Sequence, residues 1–179
     1  NDVLVKIENP NLVMDAKNFQ YVFEMADQNG RTLASRFGFY SLPAERTFLF
    51  MESAVQSAPA VRASAKVVEA EWAKKSNIAP PVLRVEVVSY GPTPAAESGN
   101  FFVEGAVVSE SLARLSKIDA VIVLYNASGQ VAGFNKIQLN DFRPFEKRDF
   151  KLIWFSPVEG TVVRVEGAVG VEMKYYLSR

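Results

Sequence analysis

The chain has 179 residues, 49% of them apolar, with 20 basic side chains against 20 acidic ones. That length allows one or two domains, and a neutral balance without a basic run argues against nucleic-acid binding. Cysteine and histidine are both absent, which excludes a disulfide framework, a thiol nucleophile, a zinc knuckle and any Ser-His-Asp triad.

The first residues read as a strand. Val3, Val5 and Ile7 alternate with Leu4, Lys6 and Glu8, and Asn9-Pro10-Asn11 ends the run, because proline cannot donate to a ladder. Phe19, Tyr21, Phe23 and Met25 share one face of the next strand, with Gln20 and Glu24 opposite. Period-two alternation turns the first set toward a core. Asp27-Gln28-Asn29-Gly30 then supplies a hairpin turn, since Asn-Gly tolerates left-handed backbone. Thr32 to Tyr40 returns as a strand, residues 41–45 turn, and Arg46 to Glu52 carries Phe48 and Phe50 on one side. Ser53 to Pro59 is looser. Val61 to Trp72 suits strand or helix by composition; a strand is expected, because an all-β unit needs a last strand there. Lys74 to Pro81 is the clearest boundary, a charge pair followed by two prolines that make a stiff extended linker.

A second unit opens with Val82 to Tyr90, followed by a loop from Gly91 to Gly99 and a strand from Phe101 to Ser109. Ile118, Ala120, Ile122 and Leu124 then alternate up to a turn at Asn126-Ala127-Ser128-Gly129. Laid over the first hairpin without a gap, Gly129 falls on Gly30. Phe142-Arg143-Pro144-Phe145-Glu146 stands where Leu42-Pro43-Ala44-Glu45 stood, and Phe150, Leu152 and Trp154 repeat the pattern of Phe48 and Phe50. Thr161 to Met173 is the last strand. The reading is therefore all-β: two tandem Ig-like (fibronectin-III-like) antiparallel sandwiches, at 1–75 and 82–179, with 76–81 as linker. The second copy has a leading strand that the first lacks. Either residues before Asn1 have been lost, or another segment completes the first unit. A helix at 19–26 or 118–125 would refute the repeat.

Leu124-Tyr125-Asn126, after Ile122 and before Gly129, resembles the FxLYD motif of small Ig-like domains in bacterial envelope proteins. Ile122 stands for its Phe and Asn126 for its Asp, while the first copy keeps Phe23 and Asp27 around Met25 and Ala26. Val5 to Asn11, Tyr21 to Asp27 and Leu42 to Arg46 are similar to a group of uncharacterised single-pass bacterial membrane proteins. The Glu-Asn-Pro-Asn pattern also resembles, more loosely, plant desiccation-related β-sandwich domains. The bacterial resemblance implies an extracytoplasmic position at the cell envelope or surface. It also implies an N-terminal transmembrane helix outside residues 1–179, and two Ig-like domains beyond the membrane.

No catalytic signature stands out, and without His or Cys no enzyme, metal or cofactor is expected. Glu69 and Glu71, two apart on one strand, could bind Ca²⁺ or do acid–base work, but such pairs are usually solvated surface. Asp141, Glu146 and Asp149 gather at a turn without the spacing of a calcium loop. Asn126-Ala127-Ser128 fits a glycosylation sequon and reads better as turn chemistry. Tyr40, Trp72 and Tyr90 could form a sugar-stacking platform, and Tyr175-Tyr176-Leu177 a sheet edge.

One face draws most interest. If Ile118 to Leu124 point inward at alternate positions, Val121, Val123 and Tyr125 point outward, and a neighbouring strand adds Ile153 and Phe155. These five residues form a candidate partner-contact face. The expected function is a non-enzymatic structural or protein-interaction module, contacting other envelope proteins or a second copy. The rivals are a carbohydrate-binding module and a subunit that assembles by strand donation.

Overall fold

In the computed structural model, which describes residues 2–53, 60–77 and 80–171, the described residues hold no helix, and every strand pairing is antiparallel. The chain divides into two units between Pro80 and Pro81.

The first unit contains β1 (Asp2–Asn9), β2 (Met14–Ala26), β3 (Thr32–Leu42), β4 (Arg46–Ser53) and β5 (Arg62–Lys74). They form one sheet of order β1-β4 and another of order β3-β2-β5. Alternation in β2 buries Phe19, Tyr21, Phe23 and Met25, as its pattern requires, and these pack with Val5 of β1 and Leu42 of β3. Side chains of both sheets thus share one core, a sandwich-like arrangement. The stretch that suited strand or helix is β5, a strand.

The second unit contains β6 (Leu83–Pro92), β7 (Phe101–Ser109), β8 (Leu115–Asn126), β9 (Val131–Phe142), β10 (Lys147–Trp154) and β11 (Val162–Val171). Its sheets run β10-β7-β6 and β11-β8-β9. Phe101, Val103, Leu152 and Trp154 from the first sheet meet Ile122 and Leu124 from the second. Phe142, Leu115, Ile118 and Val107 extend that core.

The repeat holds register by register. Phe23 lies opposite Arg36 on one side and Ala65 on the other; Ile122 lies opposite Asn135 and Gly167. Val5 faces Phe50 and Ile7 faces Phe48, as Gly105 faces Phe150 and Val107 faces Arg148. The hairpin turns share their bonding. Asp27 Oδ1 accepts from the Asn29 and Arg31 N–H groups, and Asn126 Oδ1 from those of Ser128 and Gln130. Gly30 and Gly129 close the turns at φ 79° and 75°, where a side chain would be strained. The Asn9 and Ser109 side chains accept from the Asn11 and Ser111 N–H groups. Glu45 and Phe145, both at positive φ, donate their N–H to Asn11 and Ser111.

The boundary is tethered on both sides. Ser76 N–H donates to Asp15 Oδ2 at 2.9 Å, and Val82 N–H to Ser111 Oγ at 2.6 Å.

Candidate functional site

The units differ at one place. In the second, β6 lies beside β7, and its Val85 presses against Gly167 of β11, so β6 and β11 close one side of the sandwich. In the first, β4 is the only strand paired with β1 among the described residues. The counterpart of β11 is β5, and it is exposed along almost its whole length. Ala63, Ala65, Val67 and Trp72 lie opposite Met25, Phe23, Tyr21 and Ala16, so they share the core-facing side of the sheet. Yet Val67 is 50% exposed and Trp72 48%, and both alanines are exposed as well. On β11 the matching Val165 and Val169 are half-buried. Among the described residues, an apolar strand face and an unpaired sheet edge therefore occur together. Sequence reasoning expected the first unit to lack a leading strand within residues 1–179; the apolar stripe on β5 was hidden by its alanines, which carry little hydrophobic signal.

The five-residue contact face is not assembled. Val121 and Val123 are only 1% exposed. They lie on the central strand of β11-β8-β9, flanked on that side by Ala168 and Lys136 and by Glu166 and Phe134. Lys136 beside Val121, and Glu166 and Phe134 beside Val123, are longer than the valines, and long charged side chains cover apolar surface with their stems. Tyr125 is half-buried, with the Arg164 guanidinium 3.9 Å from its ring centre. Ile153 and Phe155 fail for another reason. β10 belongs to the opposite sheet, so it is not a neighbour of β8. Ile153 is covered by Gly99 of the loop between β6 and β7, where an added methyl would overlap it, while Phe155, just past β10, is 71% exposed by itself.

The singled-out carboxylates have cationic or backbone partners, or stand in solvent. Asp141 pairs with Arg114 at 2.6 Å, and Glu146 with Arg148 at 2.6 Å. The Arg143 N–H and then the Arg148 guanidinium hold the Glu146 carboxyl below the usual range. Glu86 is lowered likewise, first by Lys147 and then by Arg84. Asp149, Glu69 and Glu71 are exposed. No group of three potential ligands occurs among the described residues.

Of the three aromatics singled out for a sugar platform, Tyr40 and Trp72 belong to the first unit and Tyr90 to the second. Tyr40 packs among Tyr21, Phe19 and Phe48 in the first core, with centroids 5.7, 6.4 and 4.8 Å away. Tyr90 belongs to the second unit, beside Phe101, and its hydroxyl donates to the Val163 carbonyl at 3.3 Å. Trp154 is a core residue. Tyr175-Tyr176-Leu177 lies outside the described residues.

Comparison of the chain with protein-family models, curated proteins and solved structures finds no match.

Proposed function

We propose that this chain is a non-enzymatic protein-interaction module of a bacterial cell envelope, facing outward from the cytoplasmic membrane and built of two tandem Ig-like sandwiches. The observation that carries the reading is the open side of the first unit, where Ala65, Val67 and Trp72 of β5 are exposed on the core-facing side of their sheet. Apolar side chains on such a face are usually covered by protein. The resemblance of Ile122 to Asn126 to the FxLYD turn supports the envelope position and the Ig-like class.

Because the chain has no cysteine, a single Ser128→Cys change gives one labelling site at an exposed turn. A membrane-impermeant maleimide should label it in intact cells. Labelling that appears only after lysis would reject the outward position. A hydrolase or transferase activity lost with one carboxylate would reject the non-enzymatic reading.

A further inference from the structure

The two hairpin turns share their bonding but differ in one residue. Asn29-Gly30 stands in the first turn where Ser128-Gly129 stands in the second. Asn29 is followed by glycine, and no other asparagine of the chain is. Its carboxamide therefore lies next to a main-chain nitrogen that no Cβ shields. We propose that Asn29 is a self-modification site. Gly30 displaces ammonia from it, water then leaves an aspartyl or isoaspartyl residue, and the turn itself governs the rate.

The step balances with water as its only reagent. The Gly30 nitrogen bonds to Asn29 Cγ, and the Cγ–Nδ2 bond breaks. The Gly30 proton leaves with the amide nitrogen as ammonia, and a cyclic imide remains. Water opening the ring at Cγ gives the aspartyl residue. Opening at the Asn29 main-chain carbonyl gives the isoaspartyl residue, whose main chain runs through Cβ and Cγ. Two observations favour this site. Asn29 and Gly30 are both exposed, and a Cβ built at Gly30 would meet nothing within 4 Å. Only the main-chain N–H of Asn29 is hydrogen-bonded among the described residues, so its carboxamide is free to turn toward the Gly30 nitrogen.

One set of bonds opposes the step. The Gly30 N–H donates to the Asp27 carbonyl at 3.0 Å, which keeps the attacking nitrogen engaged in the turn. Asp27 Oδ1 accepts from the Asn29 N–H at 2.8 Å and the Arg31 N–H at 2.9 Å, which fixes the main chain on both sides of Gly30. Asn29 is thus protected while the turn is closed and reacts when it opens, and exposed tips open at lower free energy than cores do. The second turn makes the same bonds, with the Gly129 N–H on the Asn126 carbonyl at 2.9 Å. Serine, however, has no carboxamide to close the ring. Asn126 has its Oδ1 engaged twice and is followed by Ala127, whose Cβ crowds the nitrogen. The two hairpins therefore age differently. The first gains a carboxylate beside Asp27, and the isoaspartyl form adds one carbon to the main chain between β2 and β3. Each conversion moves the neutral charge balance by one negative charge.

The test holds the 179-residue chain in mildly alkaline buffer, folded and in guanidinium chloride, and samples it over weeks. Mass spectrometry of the tryptic peptide 18–31 reads the gain of an amide becoming an acid, and fragmentation assigns it to a residue. In the folded chain the gain should fall on Asn29, at a rate about tenfold or more below that in denaturant. Asp27→Ala frees two N–H groups and should speed the reaction about three- to tenfold. Asp27→Asn should stay near the parent rate, because Asn126 makes the same bonds in the second turn. Ser128→Asn should give that second turn a site that reacts about as fast as Asn29. Unchanged melts will show that the variants fold. Equal rates in the folded and denatured chain, an Asp27→Ala rate equal to the parent's, or an unreactive Ser128→Asn turn overturns the proposal. So does a folded chain in which Asn100, Asn126 or Asn135 reacts first, or in which Asn29 stays intact while it reacts in denaturant.

Discussion

Gly167→Ala tests whether β6 and β11 close the second unit by direct contact. An added methyl would stand 2.5 and 2.6 Å from the two Val85 methyls, where carbon atoms prefer about 3.5–4.0 Å. The two strands must therefore separate by about 1 Å or distort, and overpacking of that kind costs about 1–3 kcal/mol. The backbone trend runs the other way, since Gly→Ala at a permissive φ stabilises by about 0.4–1 kcal/mol. Val85→Ala alone removes two methyls from a half-buried side chain, a loss of about 1 kcal/mol. In the double variant the new methyl enters the vacated space, so the pair should be more stable than the sum of the singles by about 1–2 kcal/mol. Urea unfolding followed by Trp154, a core residue of this unit, measures the effect; Trp72 of β5 serves as the internal control. Additive losses, or a Gly167→Ala variant as stable as the parent, would show that Val85 and Gly167 do not press on each other.

Three further outcomes are expected. Asp15→Ala removes a buried carboxylate that accepts from Ala44 N–H and Ser76 N–H, both at 2.9 Å, and should cost about 2–4 kcal/mol; a thermal melt should show it in the Trp72 signal and not in that of Trp154. Val123→Lys places an ammonium where the side chain is 1% exposed, so it should cost about 3 kcal/mol or more and lower the cooperative melt, where a true contact residue would weaken only assembly. Lys75 holds the Glu45 carboxyl below its ordinary value, Lys147 and Arg84 hold Glu86 there, and the Arg143 N–H and Arg148 hold Glu146. Their contribution is complete above the ordinary glutamate value of about 4.3 and is lost as pH falls through the lowered folded values. Stability measured by urea titration should therefore decline in that acid range, modestly, because Glu45 is exposed and Glu86 and Glu146 are only partly buried.

Hairpins and core faces were legible because each was written twice. Phe19 to Met25 and Ile118 to Leu124 alternate with the period of a strand, and both runs are buried as expected. Asp27 and Asn126 carry side-chain oxygens that can cap a turn, and both do so. The contact face was misread at two steps that alternation does not govern. Period-two patterning tells which side chains share a face, but not whether longer neighbours on adjacent strands cover it, as Phe134 and Glu166 flank Val123. Nor does chain order assign a strand to a sheet: β10 reads like a neighbour of β8 yet pairs with β7. Such crossovers between sheets are set by long-range pairing, which local sequence does not encode.

Among the described residues β1 pairs on one side only, with β4. Charged residues on an edge strand oppose indiscriminate pairing between copies. Lys6 and Glu8 supply one charge of each sign, and they satisfy each other. An apolar strand laid against β1 must break that pair without replacing it. Val5 adds a second barrier. Its place matches that of Gly105, which lies against the Glu86 carbonyl, where an added methyl would overlap that oxygen. Because the obstacle is a main-chain atom, no choice of side chain removes it. β1 is thus guarded against a strand in the register of β6, whichever chain supplies it.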